Sequence, residues 1–222
     1  MDRPPRASGA LVTEGSGRLL GRKLEIVATV LLSAATVLTA WSAFESTKWS
    51  GVQATRFSQA SATRTESVRA STIAGQQTVA DVTVFTAWLT ANDEGQTHLA
   101  DLLAARFHGE FKVAFDAWLR TSPLTDPAAP ATPFATTQFE QASARQATRL
   151  EALASTQFSD ATDANQRADN YVLMTVLFAL VLFFGAVSTR FESHLIGISM
   201  LTIGALVFVA AAVITATFPV EF

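Results

Sequence analysis

The stretch that decides the fold is Asn170–Thr189, which reads NYVLMTVLFALVLFFGAVST and contains no charged residue. Asp, Glu, Lys and Arg are also missing from Ile26–Phe44 and from Ser193–Val220. These three windows are 19, 20 and 28 residues long in chain order. A helix needs about 20 mostly apolar residues to cross the hydrocarbon core of a bilayer. The sequence therefore predicts an all-α integral membrane protein with three transmembrane helices, and a lipid bilayer as its surroundings.

Basic residues beside the spans predict the orientation. Arg18, Arg22 and Lys23 precede the first span, and Arg190 lies in the short loop between the second and third spans. Short basic flanks stay in the cytoplasm, so the chain is predicted to be a multi-pass protein of the bacterial inner membrane. Its N-terminus would be cytoplasmic and its C-terminus extracytoplasmic. The resulting segments are a leader (1–24), transmembrane helix 1 (25–44), an extracytoplasmic helical bundle (45–169) with a Pro-rich connector (122–133), transmembrane helix 2 (170–188), a cytoplasmic turn (189–194), transmembrane helix 3 (195–218) and an extracytoplasmic tail (219–222).

The first span has a second interpretation, because a basic pair precedes an apolar stretch as in a signal peptide. The stretch is longer than the 7–15-residue core of a signal peptide and a long polar leader precedes it, which favours a retained anchor. Aromatic residues with a polar edge are enriched at membrane interfaces. Trp41, Trp49 and Tyr171 are therefore predicted to be interface anchors at the outer ends of spans one and two.

Prolines divide the long middle segment. Four of the seven prolines lie between Pro123 and Pro133, so long helices are allowed on either side of this connector. Three helices are predicted: one continues span one to about Leu89, one covers about Gly95–Leu119, and one runs from about Pro133 into span two. The second has a capping-box pattern at Asp93–Gln96, and Thr132 is the predicted N-cap of the third. An apolar stripe at helical spacing marks the second helix: Leu99, Leu103, Phe107, Phe111, Phe115 and Trp118.

The composition argues against several functions. A net charge of −3 and an isoelectric point near 5.6 disfavour a nucleic-acid partner. The chain has no cysteine. A proton-coupled pump would require ionisable residues near the bilayer centre, and the three spans have no charged residue there. His98 and Asp101 share a helix face, but no third metal ligand follows at a readable spacing. No cofactor, metal or catalytic constellation is predicted, and we do not expect an enzyme.

Small and hydroxyl-bearing residues form one stripe along the first span. Such residues let helix backbones approach closely, whereas lipid is well matched by Leu and Val. Two interpretations stay open: the stripe packs against spans two and three of the same chain, or it faces a symmetry axis as an oligomer seam or a pore lining. The candidate residues are Glu25, Thr29, Ser33, Thr36 and Ala40.

Two strings resemble bacterial three-span membrane proteins of no established activity. They are AWSAFESTKWSG at Ala40–Gly51 and DNYVLMTVLFALVLFF at Asp169–Phe184. The similarity covers most of the chain from residue 22 onward and implies the fold and the membrane location, but no catalytic residue. The architecture is also similar to chemoreceptor sensor modules, in which a helical bundle lies between two spans; here a third span replaces their output domain.

Three function classes remain. The first is a homo-oligomeric assembly that forms a channel or pore. The second is a structural or accessory subunit of a larger complex, with another membrane protein as its partner. The third is an extracytoplasmic ligand sensor that acts through a partner. The sequence favours the first two jointly, with a slight preference for self-assembly.

Overall fold

The computed structural model describes residues 10–191 and 193–221. Residues 1–9 of the predicted leader, Glu192 of the predicted turn and Phe222 of the predicted tail lie outside the described residues. Helix accounts for 82% of the structure, and the described part of the chain contains no strand. The helices are α1 (Ala10–Asp93), α2 (Thr97–Ala104), α3 (Gly109–Leu119), α4 (Ala142–Ser188) and α5 (His194–Ala216), with a short 3-10 turn at Pro133–Ala135.

Three of these helices are long and apolar enough to cross a membrane. They comprise Leu24–Asp93 of α1, the whole of α4, and Leu195–Ala216 of α5. The prediction of an all-α chain with three such helices is therefore confirmed at this level. Helices satisfy all their backbone hydrogen bonds internally, which is the condition for a chain surrounded by lipid.

The chain divides into two compact units. The three-helix unit consists of the described part of Met1–Thr55 together with Asp160–Phe222. One cluster in its core joins Ala28, Leu31 and Ala35 of α1 to Val181 of α4 and Leu201 of α5. A second cluster joins Met174 and Phe178 of α4 to Ala211 of α5. Apolar side chains from all three helices thus fill the interior of this unit.

Gly197 lets α5 come close to the end of α4. A Cβ atom at this position would lie 2.9 Å from the backbone oxygen of Ser188 and 3.9 Å from a methyl carbon of Leu24. The missing side chain is what permits this approach. Residues near the start of the first span, the end of α4 and the start of α5 therefore meet at one end of the three-helix unit.

The aromatic unit, Arg56–Ser159, is built around a cluster of phenylalanine and tryptophan rings. Phe85 and Trp88 come from α1, Phe111, Phe115 and Trp118 come from α3, and Phe107 precedes α3. Phe134 stacks on Phe111 with ring centroids 4.8 Å apart. Most of the other pairs meet edge to face, the geometry that suits aromatic rings.

The predicted helix over Gly95–Leu119 is wrong as a single element, because the chain leaves helical geometry between α2 and α3. His108 has φ −56° and ψ 142°, an extended conformation. Gly109 follows, and glycine has low helix propensity. Packing of Phe107 into the aromatic cluster compensates for the interrupted helix.

The predicted capping box is not formed either. Asp93 is the last residue of α1, and Gln96 donates its side-chain N–H to Glu94 rather than to a helix end. Gly95, at φ +70°, makes the turn that separates α1 from α2. Helix α1 thus ends four residues beyond the predicted limit at Leu89.

The third predicted helix begins nine residues later than expected. Pro133 starts only a short 3-10 turn, and Thr132 makes no side-chain capping bond. Thr136 is extended at ψ 151°, so the chain cannot continue as a helix. Phe134, in the 3-10 turn, and Phe139, after it, both contact Phe111, and α4 then starts at Ala142.

Candidate functional site

The stripe of small and hydroxyl residues on α1 is exposed in the chain. Thr29, Ser33, Thr36 and Ala40 are all exposed, as is Glu25 at the end of the stripe. The residues of α1 that pack against α4 and α5 instead include Ala28, Leu31 and Ala35, on roughly the opposite side of the helix. In the single chain, the stripe is therefore exposed and lies outside the apolar cluster that joins α1 to α4 and α5.

The hydroxyl groups of the stripe are already satisfied. Thr29 Oγ1 donates to the Glu25 carbonyl oxygen at 2.8 Å, and Ser33 Oγ donates to that of Thr29 at 2.9 Å. Thr36 Oγ1 donates to the Leu32 carbonyl oxygen at 2.8 Å. These bonds mask the polarity of the side chains without adding bulk. The stripe therefore offers a smooth, narrow surface on which another helix can pack closely.

The predicted interface anchors have different environments. Trp41 is 41% exposed, with its ring centroid 6.1 Å from that of Phe44. Trp49 and Tyr171 are instead buried within the three-helix unit. The Trp49 indole also lies against a cation, because Cζ of Arg167 is 4.6 Å from its ring centroid. Only Trp41 thus has a surface that is free to contact headgroups.

A single backbone oxygen joins Trp49 and Tyr171. Trp49 Nε1 and the Tyr171 hydroxyl each donate to the Pro219 carbonyl oxygen at 3.1 Å. The Tyr171 ring also meets Phe218 edge to face, with centroids 5.3 Å apart. Helices α1 and α4 are therefore both fastened to the segment that follows α5.

A buried glutamate of α1, Glu45, makes a third hydrogen bond to the segment that follows α5. Glu45 is 0% exposed, and its Oε2 accepts a hydrogen bond from the Glu221 backbone N–H at 3.1 Å. Its Oε1, and Oγ of the buried Ser42 one turn away, have no hydrogen-bond partner among the described residues. We call the group of Glu45, Trp49, Tyr171 and residues 219–221 the tail clasp. The sequence interpretation placed Glu45 at the start of the extracytoplasmic bundle. In the structure, Glu45 continues the packed face of α1 at three- and four-residue spacing from Ser42 to Trp49.

A second exposed row, which the sequence interpretation did not identify, lies on α1 within the aromatic unit. Its members alternate at spacings of three and four residues, none is charged, and all are exposed. This is the spacing of a coiled-coil seam. The absence of charge at regular three- and four-residue spacing is the sequence signal that could have identified this row. Its members are Ser58, Ser61, Thr65, Val68, Thr72, Gly75, Val79, Val82, Thr86 and Leu89.

Among the described residues, no three His, Cys, Asp or Glu side chains are grouped closely enough to hold a metal ion. No protein-family model, curated protein or solved structure matches the chain.

Proposed function

We propose that this protein is a non-enzymatic integral membrane protein that assembles as a homo-oligomer, with α1 of each copy at the symmetry axis. The observation that carries the proposal is the exposure of Thr29, Ser33 and Thr36 in a chain whose α1 packs through another face. A surface selected only for contact with lipid would carry larger apolar side chains. A second copy of α1 is a partner of matching shape.

The row from Ser58 to Leu89 supports the same assembly. An exposed helix face in water ordinarily carries charged residues, and this row carries none over ten exposed positions. Exposed Val68, Val79 and Val82 lie within it. A symmetric contact between copies of α1 would cover these side chains in the aromatic unit as well.

We further propose that the assembly encloses a channel or pore. The three-helix unit has Phe178, Val181 and Leu201 in its interior, so a path would run between chains rather than through one. The stripe would line this path with Ser and Thr hydroxyls. An accessory subunit and a sensor that acts through a partner are the alternatives, and native mass measurement in nanodiscs distinguishes them: the first co-purifies with another protein, and the second remains a monomer.

Cysteine crosslinking tests the seam directly, because the chain has no cysteine of its own. We expect Ser33→Cys and Thr36→Cys to form disulfide-linked dimers in native membranes under mild oxidation, since both residues would face their copies across the axis. Labelling of the same positions by a membrane-impermeant thiol reagent would indicate a water-filled path. Crosslinking without labelling would indicate a closed seam and remove the pore from the proposal.

Val27→Cys is the matched control for this experiment. Val27 lies on the same helix, is 53% exposed, and is on nearly the opposite side of the helix from Thr36. We expect it to crosslink several times less than Ser33→Cys at equal expression. Equal crosslinking at all three positions, or none in a folded protein, would contradict a seam at the stripe.

The proposed location is the bacterial inner membrane, with the chain between spans one and two on the extracytoplasmic side. The basic residues Arg22 and Arg190 support this orientation. We expect a reporter inserted after the exposed Ala128 to be active only as an extracytoplasmic fusion. An insertion at Thr189, in the predicted cytoplasmic turn, is the control and should give the opposite signal. A cytoplasmic signal from the Ala128 insertion would reverse the orientation.

A further inference from the structure

Buried polar groups meet where α1, the start of α3 and the start of α4 come together in the aromatic unit. Asp81 of α1 is only 4% exposed, and none of the described residues donates a hydrogen bond to its Oδ2. Gln141, directly before α4, is also buried, and its Nε2 has no acceptor among the described residues. The hydroxyl oxygen of Thr78, one turn before Asp81, is 3.4 Å from Gln141 Oε1 and 3.0 Å from the Ala74 carbonyl oxygen, which is the closer acceptor of its proton. We call these residues, with His108 and Glu110, the Asp81 junction.

Glu110 connects this junction to the start of α4. Its Oε1 and Oε2 accept the backbone N–H of Ala142 at 3.0 Å and 3.1 Å. Ala142 is the first residue of α4, whose N-terminal N–H groups have no partner within the helix. A negative charge is favourable there because of the helix dipole. Glu110 therefore serves as the cap that the sequence assigned to Thr132.

Burial raises the pKa of the Asp81 carboxyl above its ordinary value. The nearby His108 imidazole opposes this change and lowers the pKa, whereas the charge of Glu110 raises it further. The charged form of Asp81 is thus less favourable in the folded unit than in the unfolded chain. This is the reverse of the usual aspartate, which gains a partner on folding and stabilises the folded state when it is ionised.

We propose that the Asp81 junction is an acid-responsive contact, in which proton uptake by Asp81 strengthens the attachment of α1 to α3 and α4. A proton from solvent binds the unpartnered Oδ2, which removes a buried negative charge beside Glu110. The neutral carboxyl then carries an O–H group in place of the buried negative charge. This inference concerns one chain and does not depend on the proposed oligomer.

The sign of the pH dependence follows from the direction of the pKa change. Above the pKa of folded Asp81, the ionised carboxyl costs stability; as the pH falls through that pKa toward the value of the unfolded chain, the cost is removed. Mild acid should therefore stabilise the aromatic unit, although acid destabilises most proteins. In the proposed orientation, this junction would respond to the pH outside the cell.

The test is thermal unfolding of the full chain in detergent, followed by helical circular dichroism between pH 7.5 and 4.5. We expect Tm of the wild-type protein to rise as the pH falls. Asp81→Asn should have a higher Tm than wild type at pH 7.5 and lose this rise. Asp101→Asn, which changes an exposed aspartate of α2, is the matched control and should behave as wild type.

Two further variants separate a titrating Asp81 from a merely structural one. His108→Gln should move the midpoint of the rise to higher pH, because the histidine lowers the pKa of Asp81. Glu110→Gln should move the midpoint to lower pH, because its charge raises that pKa. Opposite shifts would support the proposal even if Asp81→Asn folds poorly. A rise that persists in Asp81→Asn, or midpoints unmoved in both neighbouring variants, would overturn it.

Discussion

Replacing Phe111 with alanine is expected to lower the free energy of unfolding of the aromatic unit by about 3–5 kcal/mol. Phe111 is 0% exposed and contacts rings from three directions, with centroid distances of 5.0 Å to Phe107, 4.8 Å to Phe134 and 6.1 Å to Phe85. Alanine would leave a cavity that these rigid rings cannot close. Chemical denaturation of the full chain in detergent, followed by tryptophan fluorescence, would measure the loss.

Val113→Ala is the control on the same helix. Val113 lies two residues from Phe111 but is 57% exposed, so its loss should change the stability by no more than about 0.5 kcal/mol. Equal losses from the two substitutions would mean that the aromatic cluster does not carry the stability of this unit.

Gly197→Ala is expected to destabilise the three-helix unit by about 1–3 kcal/mol, because the added methyl group overpacks a close helix contact. The new Cβ would lie 2.9 Å from the Ser188 backbone oxygen, which cannot rotate away as a side chain could. Relief would require α5 to move away from the end of α4. The expected results are a lower Tm in detergent and a lower yield of folded protein.

Gly51→Ala provides a control with the opposite sign. Gly51 is also inside a helix and belongs to neither the stripe nor the row, and a Cβ atom there meets nothing within 4 Å. Alanine should therefore stabilise the chain by about 0.5–1 kcal/mol through helix propensity alone. If Gly197→Ala were stabilising to the same extent, the close approach of α5 to α4 would be incorrect.

The apolar helices were predictable because hydrocarbon imposes a simple rule on composition. A stretch such as Asn170–Thr189 must hide its backbone polarity and avoid charge over its whole length, and this requirement is visible without knowledge of any contact. Side-chain packing in the aromatic unit gives a less direct signal of helix boundaries in the sequence. Phe107 and Phe111 keep helical spacing in sequence, yet Gly109 begins a new helix between them. Periodicity reports which residues share a core, but it does not report where the backbone breaks.

The stripe could be predicted from the sequence, whereas the contacts of the tail clasp could not. Ser33 and Thr36 were identifiable because small residues in a span are a property of the side chains themselves. The environment of Trp49 and Tyr171 was not identifiable, since their common acceptor is the backbone oxygen of Pro219. A backbone oxygen has no sequence signature. An aromatic residue at a headgroup and one bonded to a distant carbonyl therefore look identical in sequence.

The tail clasp also has a consequence for the order in which the protein is made. Glu45, Trp49 and Tyr171 are synthesised well before Pro219 and Glu221, which supply the bonding partners of all three. A nascent chain that stops short of residue 219 leaves an indole N–H, a phenol and a carboxylate without those partners at one end of its helices. Buried polar groups without hydrogen-bond partners are costly. A chain that lacks residues 219–221 is therefore expected to pack less stably at this end of the three-helix unit than the full chain.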